Sequence, residues 1–165
     1  MAISDGLLKE FDHEMQNTRR TLERVPFDKA AWKPHTKSSS LGALAEHLSV
    51  IPALAVPVLA ASELDVVAER GRHDPATSTK ALLEHFDSNV AAARAALASL
   101  QDGQSATPWT LKAGDQTLWT LPRLAAFRAF IMNHMVHHRA QLGVYLRLND
   151  VPVPGIYGPS ADERA

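Results

Sequence analysis

The sequence has no cysteine among its 165 residues. That removes disulfides, thiolate metal sites, iron–sulfur clusters and a cysteine nucleophile from the chemistry this chain supplies by itself. It has no excess charge of either sign. Lys and Arg total 17 against 18 Asp and Glu, for a formal net charge of −1. A general nucleic-acid binder or a polybasic membrane-surface protein needs clustered positive charge, so both classes are set aside. A long apolar run is also missing. The most apolar segment, Val50 to Ala61, holds Pro52 and Pro57 and falls short of the roughly 20 residues a spanning helix needs. Residues 1–12 carry acid early and have no extended apolar stretch, which predicts no secretory signal. There is no internal repeat and no low-complexity tract. The expectation is a cytoplasmic protein with no nucleic-acid or membrane partner. A single domain over residues 1–165, 45% hydrophobic, is enough for a core.

What is present is helical periodicity. Over residues 3–24, Ile3, Leu7, Phe11, Met15 or Glu14, Thr18 and Leu22 make one stripe at the helical period, and Pro26 ends it. A polar connection with Trp32, Pro34 and three serines comes next, and its last serine suits an N-cap. A second helix starts near Leu41, with Leu44, Leu48, Ile51, Ala55 and Val58 on one face. Pro52 predicts a kink or break in it, because proline lacks the amide proton and crowds the preceding turn. Residues 62–77, with Gly71 and Pro75, read as a polar connection. The third helix spans about 78–100, with Leu82, Phe86, Ala93, Leu97 and Leu100 facing inward. Residues 101–120 permit either a short hairpin around Ala113-Gly114-Asp115 or an ordered loop. Pro122 suits the first turn of a fourth helix that runs to about Leu148, the longest of the four. A tail rich in Pro and Gly completes the chain. Four long helices in one domain predict an all-α four-helix bundle.

The chemistry concentrates in the fourth helix. Three of the eight histidines, His134, His137 and His138, fall within five residues. His134 and His138 are one turn apart, with Cβ atoms about 6 Å from each other, so both imidazoles can converge on one ion. Leu124, Phe127, Ile131, Leu142 and Tyr145 share their stripe, which points both rings into the bundle or a cleft in it. His137 falls towards the polar side and reads as a flanking residue. The best third ligand is His47, at the edge of the apolar face of the second helix. A lone inward histidine is usually a hydrogen-bonded core residue. Two on adjacent turns are harder to satisfy without an ion, and spacing alone leaves both readings open. Glu10-x-x-His13 is one half of a di-iron motif, and no second half exists, so a ferritin-like centre is excluded.

Longer stretches carry a resemblance. Asn133-His-Met-Val-His-His-Arg-Ala-Gln-Leu-Gly-Val-Tyr-Leu-Arg147 resembles the signature helix of the DinB/YfiT-like superfamily. Trp32-Lys-Pro34 and Ser40-Leu-Gly-Ala-Leu-Ala-Glu-His-Leu48 resemble its second-helix signature. Trp109 to Pro122 and the tail Val153 to Glu163 are similar to the family as well. The resemblance implies a left-handed up-down-down-up bundle, often a homodimer. It also implies a divalent ion, commonly nickel or zinc, held by the positions that match His47, His134 and His138. Some relatives are thiol-dependent transferases or isomerases using a low-molecular-weight thiol such as bacillithiol or mycothiol. Many are described only as metal-dependent hydrolases. No substrate-binding residue of the transferase branch is matched on this chain, and its catalytic residues are left open.

The function expected is therefore a metal-dependent enzyme acting on a small molecule, a hydrolase or a thiol-dependent S-transferase. Three neutral imidazoles leave an ion its full charge, which activates water or a cosubstrate thiol. The rivals are a non-catalytic metal-binding stress protein and a structural helical dimer. Glu46 and His137 are candidate proton shuttles. Glu46 reads more readily as a solvated surface carboxylate, and His137 as a surface or hydrogen-bonded histidine. Arg139 and Gln141 sit where they can bond to a ligand or a substrate oxygen, with a surface salt bridge as the plainer reading of Arg139. Tyr157 lies in a tail that either closes over the site or packs on the bundle. Trp32, Trp109 and Trp119 read as lids on the core. His13, His35, His73 and His85 read as exposed.

Overall fold

The computed structural model describes residues 3–69 and 74–163. Gly71 and His73 lie outside the described residues. The α-helices are α1 (Ile3–Leu22), α2 (Leu41–Val50), α3 (Ala55–Ala60), α4 (Thr79–Ala98), α5 (Arg123–Phe127) and α6 (His134–Leu148). They form four helical rods, because α2 and α3 are joined by a 3-10 turn and α5 and α6 by a π turn. The first rod, α1, packs on α4 and α6, and α2 packs on the same two.

Each rod arises from its stripe. Leu7, Phe11, Met15, Thr18 and Leu22 of α1 are buried, as are Leu44, Leu48, Ile51, Ala55 and Val58 of the second rod. Leu82, Phe86, Ala93 and Leu97 of α4 complete the core, with Leu100 just beyond its end. Ser40 and Ser78 cap α2 and α4, each accepting from the backbone N–H three residues on. Pro52 breaks the second rod where expected, and the 3-10 turn Ile51–Leu54 absorbs the lost bond. Leu41–Ala60 is long and apolar enough to cross a membrane by length and composition, but half of that apolar window is buried inside the bundle.

The fold is not purely helical. A three-stranded sheet of order β1-β2-β3 lies beside the bundle, with β1 at Glu63–Asp65, β2 at Pro108–Ala113 and β3 at Gln116–Pro122. The hairpin β2-β3 is antiparallel and turns at Gly114-Asp115. Gly114 adopts a φ of 59°, a conformation glycine takes without strain. β1 pairs with β2 in parallel, inside the stretch expected to be a polar connection. Three residues are too few to show a period, and their partner lies almost fifty residues away. Trp109 is fully buried and donates from its indole to the Pro57 carbonyl at 3.1 Å, so it belongs to the core rather than capping it. Pro122 closes β3 one residue before the helix begins at Arg123.

The fourth rod also departs from a continuous α-helix. Residues 128–133 are wound as a π turn, directly ahead of the histidines. No proline or glycine marks it in the sequence. Arg123, buried at the start of this rod, donates at 2.6 Å to the carbonyls of Val58 and Ala61. It satisfies carbonyls that the end of α3 leaves open.

Candidate metal centre

His47 on α2 and His134 and His138 on α6 come together where those two helices pack. The ring centroids lie 4.9 Å (His47–His134), 4.7 Å (His47–His138) and 4.6 Å (His134–His138) apart. One ligand nitrogen from each falls within 4.8 Å of the others. All three side chains are half-buried at the bundle edge rather than sealed in its core.

The outward nitrogens of the two α6 histidines are engaged. His138 Nδ1 lies 2.7 Å from Gln141 Oε1, and His134 Nδ1 lies 3.3 Å from the Phe130 carbonyl. Both partners are carbonyl oxygens, which only accept, so these contacts are hydrogen bonds in the tautomer that has the proton on Nδ1 and the Nε2 lone pair free for the cluster. Burial first, then the neighbouring imidazoles, lowers the His47 pKa to about 4. Burial and His138 lower that of His134 as well, with the Phe130 carbonyl opposing them. Neutral imidazole is the form that binds metal.

The donor set fits a divalent ion. His47 Nε2 and His134 Nε2 are 3.1 Å apart. Two nitrogens bound to one ion at about 2.0–2.1 Å are separated by roughly 3 Å. The same spacing makes a hydrogen bond when the ion is away.

The neighbours sort the other expectations. Gln141 makes the bond to His138 that its position allowed. His137 is exposed and stands edge-on to His138 at 4.8 Å. Glu46 is not a solvated carboxylate: its side chain is 15% exposed, and Oε2 accepts from Ala76 N–H at 3.0 Å. His85 is only half-exposed, with Nδ1 3.9 Å from Glu46 Oε1, whereas His13 and His35 are exposed as expected. Arg139 makes no surface salt bridge. It is buried and turns away from the triad to Glu14 at 2.7 Å, beside Tyr157, whose hydroxyl accepts from it at 2.6 Å. The tail therefore packs on α1 and α6 through Tyr157. Trp32 packs edge-on against Tyr145. Phe130 is the residue that sequence reasoning missed. It stacks on His134 at 6.0 Å and passes that ring's contact back to Trp119 and Trp109. An aromatic four positions ahead of a clustered histidine was the available signal.

The DinB family profile matches residues 2–165. The chain belongs to the DinB family. The uncharacterized protein YrdA of Bacillus subtilis (strain 168) is 27% identical to this DinB-family protein, over 98% of this chain and 92% of that one. Two solved structures share the fold. A DinB-like protein from Bacillus cereus ATCC 10987 has a TM-score of 0.70 at 22% identity, covering 94% of this chain and 98% of its own. The DinB-like protein YjoA from Bacillus subtilis has a TM-score of 0.68 at 18% identity, with coverage of 89% and 95%.

Proposed function

We propose that this DinB-family protein is a metal-dependent enzyme, a hydrolase or a thiol-dependent S-transferase, that uses His47, His134 and His138 to hold nickel or zinc. The observation that carries this reading is the convergence of three imidazoles from two helices, two of them oriented through Nδ1. A divalent ion there supplies Lewis acidity that brings the pKa of a coordinated water or small thiol towards neutrality. The chain's own part is to hold the His47 and His134 rings neutral and to bring three rings to one point. Gln141 and the Phe130 carbonyl fix the tautomers, and Phe130 limits rotation of His134. Half-exposure of the triad favours a site with room for a substrate over a closed structural one. The reading extends to a cytoplasmic homodimer with a left-handed up-down-down-up bundle, and to a small-molecule substrate.

The test is elemental analysis of protein purified without an affinity tag, wild type beside His134→Ala. Near one equivalent of a divalent transition metal per wild-type chain, lost in the variant, is the expected result. No metal in either protein, even after reconstitution, sinks the reading. The histidines would then be a hydrogen-bonded cluster and nothing more.

A further inference from the structure

A cleft next to the triad narrows the substrate class. Its volume is about 610 Å³, within the range of small-molecule sites. Of the three clustered histidines, His47 forms part of its wall, so the cleft reaches the edge of the candidate centre through that residue. Most of the remaining wall is apolar or small, including Phe27, Ala31, Ala43, Val50 and Pro75.

The walls are fastened in advance. Leu41 N–H donates to Trp32 O and Gly42 N–H to Ala30 O, each at 2.9 Å, which ties the 30–32 segment to the first turn of α2. A Cβ at Gly42 would meet the Ala30 Cβ at 2.8 Å, so glycine is what lets these two segments close up. On the other side, Glu46 holds the 75–76 segment through Ala76 N–H. Among the described residues that line the cleft there is no Lys or Arg. Its one carboxylate already accepts a backbone hydrogen bond. An anionic group would lose water there and meet no cation among the described lining residues, whereas an uncharged apolar group gains by burial.

We infer that this cleft, between α2 and the turn at residues 27–31, binds an uncharged alkyl or aryl arm of the substrate whose reacting end lies at the triad. The inference rests on the metal reading above and adds the chemistry of the substrate to it.

Alkanoyl hydroxamates test it, because their head chelates divalent ions while the tail length varies. The full-length protein is loaded with Co²⁺, and its visible absorption reports both uptake and probe binding. Affinity is expected to rise by about thirtyfold or more from the two-carbon to the eight-carbon probe, which is what burying about half of the six added methylenes gives at about three- to fourfold each. A terminal carboxylate on the eight-carbon tail should cancel the gain. Ala43→Trp, at an exposed position of α2, fills the cleft and should flatten the series while Co²⁺ uptake and helix content stay unchanged. If that variant does not fold, Ala31→Trp fills the cleft from the facing wall. No dependence on tail length in the wild type, or the same dependence in the filled variant, overturns the inference. Failure to take up Co²⁺ overturns the metal reading and this inference with it, so the two failures are distinguishable.

Discussion

His47 is half-buried with two other imidazoles facing it, and the cost of charging it falls on the fold. Its pKa drops from an ordinary 6.5 to about 4, so the unfolded chain takes up the proton first. Stability linked to this group is present above pH 6.5 and is lost as the pH falls from there through about 4. In metal-free protein, the urea midpoint should decline across that window, and His47→Leu should decline less. Equal slopes would mean that His47 is not held neutral by the fold. Gln141 is exposed, so its side chain can be changed without touching the core. Gln141→Leu should weaken metal binding by about 10- to 100-fold, because His138 loses the acceptor that fixes its tautomer. Gln141→Glu should restore binding, since a carboxylate accepts the same bond. Competition against a chelating dye measures both. The three histidines were legible in the sequence because two sit at helical spacing and the third sits on an amphipathic helix. The partner of Arg139 was not, because helical spacing gives a direction around the axis but not which neighbouring carboxylate waits there.

At the scale of elements, legibility tracks how local the determining force is. The four rods were readable because each stripe repeats over several turns and its ends carry Ser40, Ser78 or Pro26. Pro52 announced its own 3-10 turn through one missing amide proton. The hairpin was half-readable: Gly114 marked a turn, but 108–122 alternates too weakly for its pattern to exclude a loop. β1 was not readable, because what makes it a strand is the edge of β2. The π turn at 128–133 was not readable either. Its register is set by what its residues must reach at both ends. Phe127 and Ile131 are buried in the core, Phe130 stacks on His134, and His134 and His138 face α2. A π turn ahead of the histidine pair re-aims the downstream side chains without a breaker residue. The same turn brings the Phe130 carbonyl to the His134 ring.

At the scale of the whole molecule, the C-terminal tail ties the bundle from a side other than the one the triad uses. Glu163 pairs with Arg20 and Arg24 of α1, and Asp162 pairs with Arg147 of α6. These pairs are exposed and contribute little singly. The inner tie is different. Arg139, 4% exposed, donates to the Glu14 carboxylate, the Glu14 carbonyl and the Thr18 hydroxyl, and Tyr157 closes the group by donating to Glu14 at 2.8 Å. Burial and the Glu14 carboxylate both push the Tyr157 pKa up, so its proton stays on to bridge the pair. Removing one partner of a buried pair leaves the other desolvated and alone. Arg139→Ala should therefore destabilise by about 3–5 kcal/mol in urea unfolding. Tyr157→Phe deletes two bonds but leaves the Arg139–Glu14 pair in place, and should cost less, about 1–2 kcal/mol. If the tail served as a cover for the triad, Tyr157→Phe would also change metal uptake. The geometry predicts no change, because the Tyr157 hydroxyl bonds to Arg139 and Glu14 while the imidazoles face α2. A shift in metal affinity with little loss of stability would place the tail at the metal centre after all.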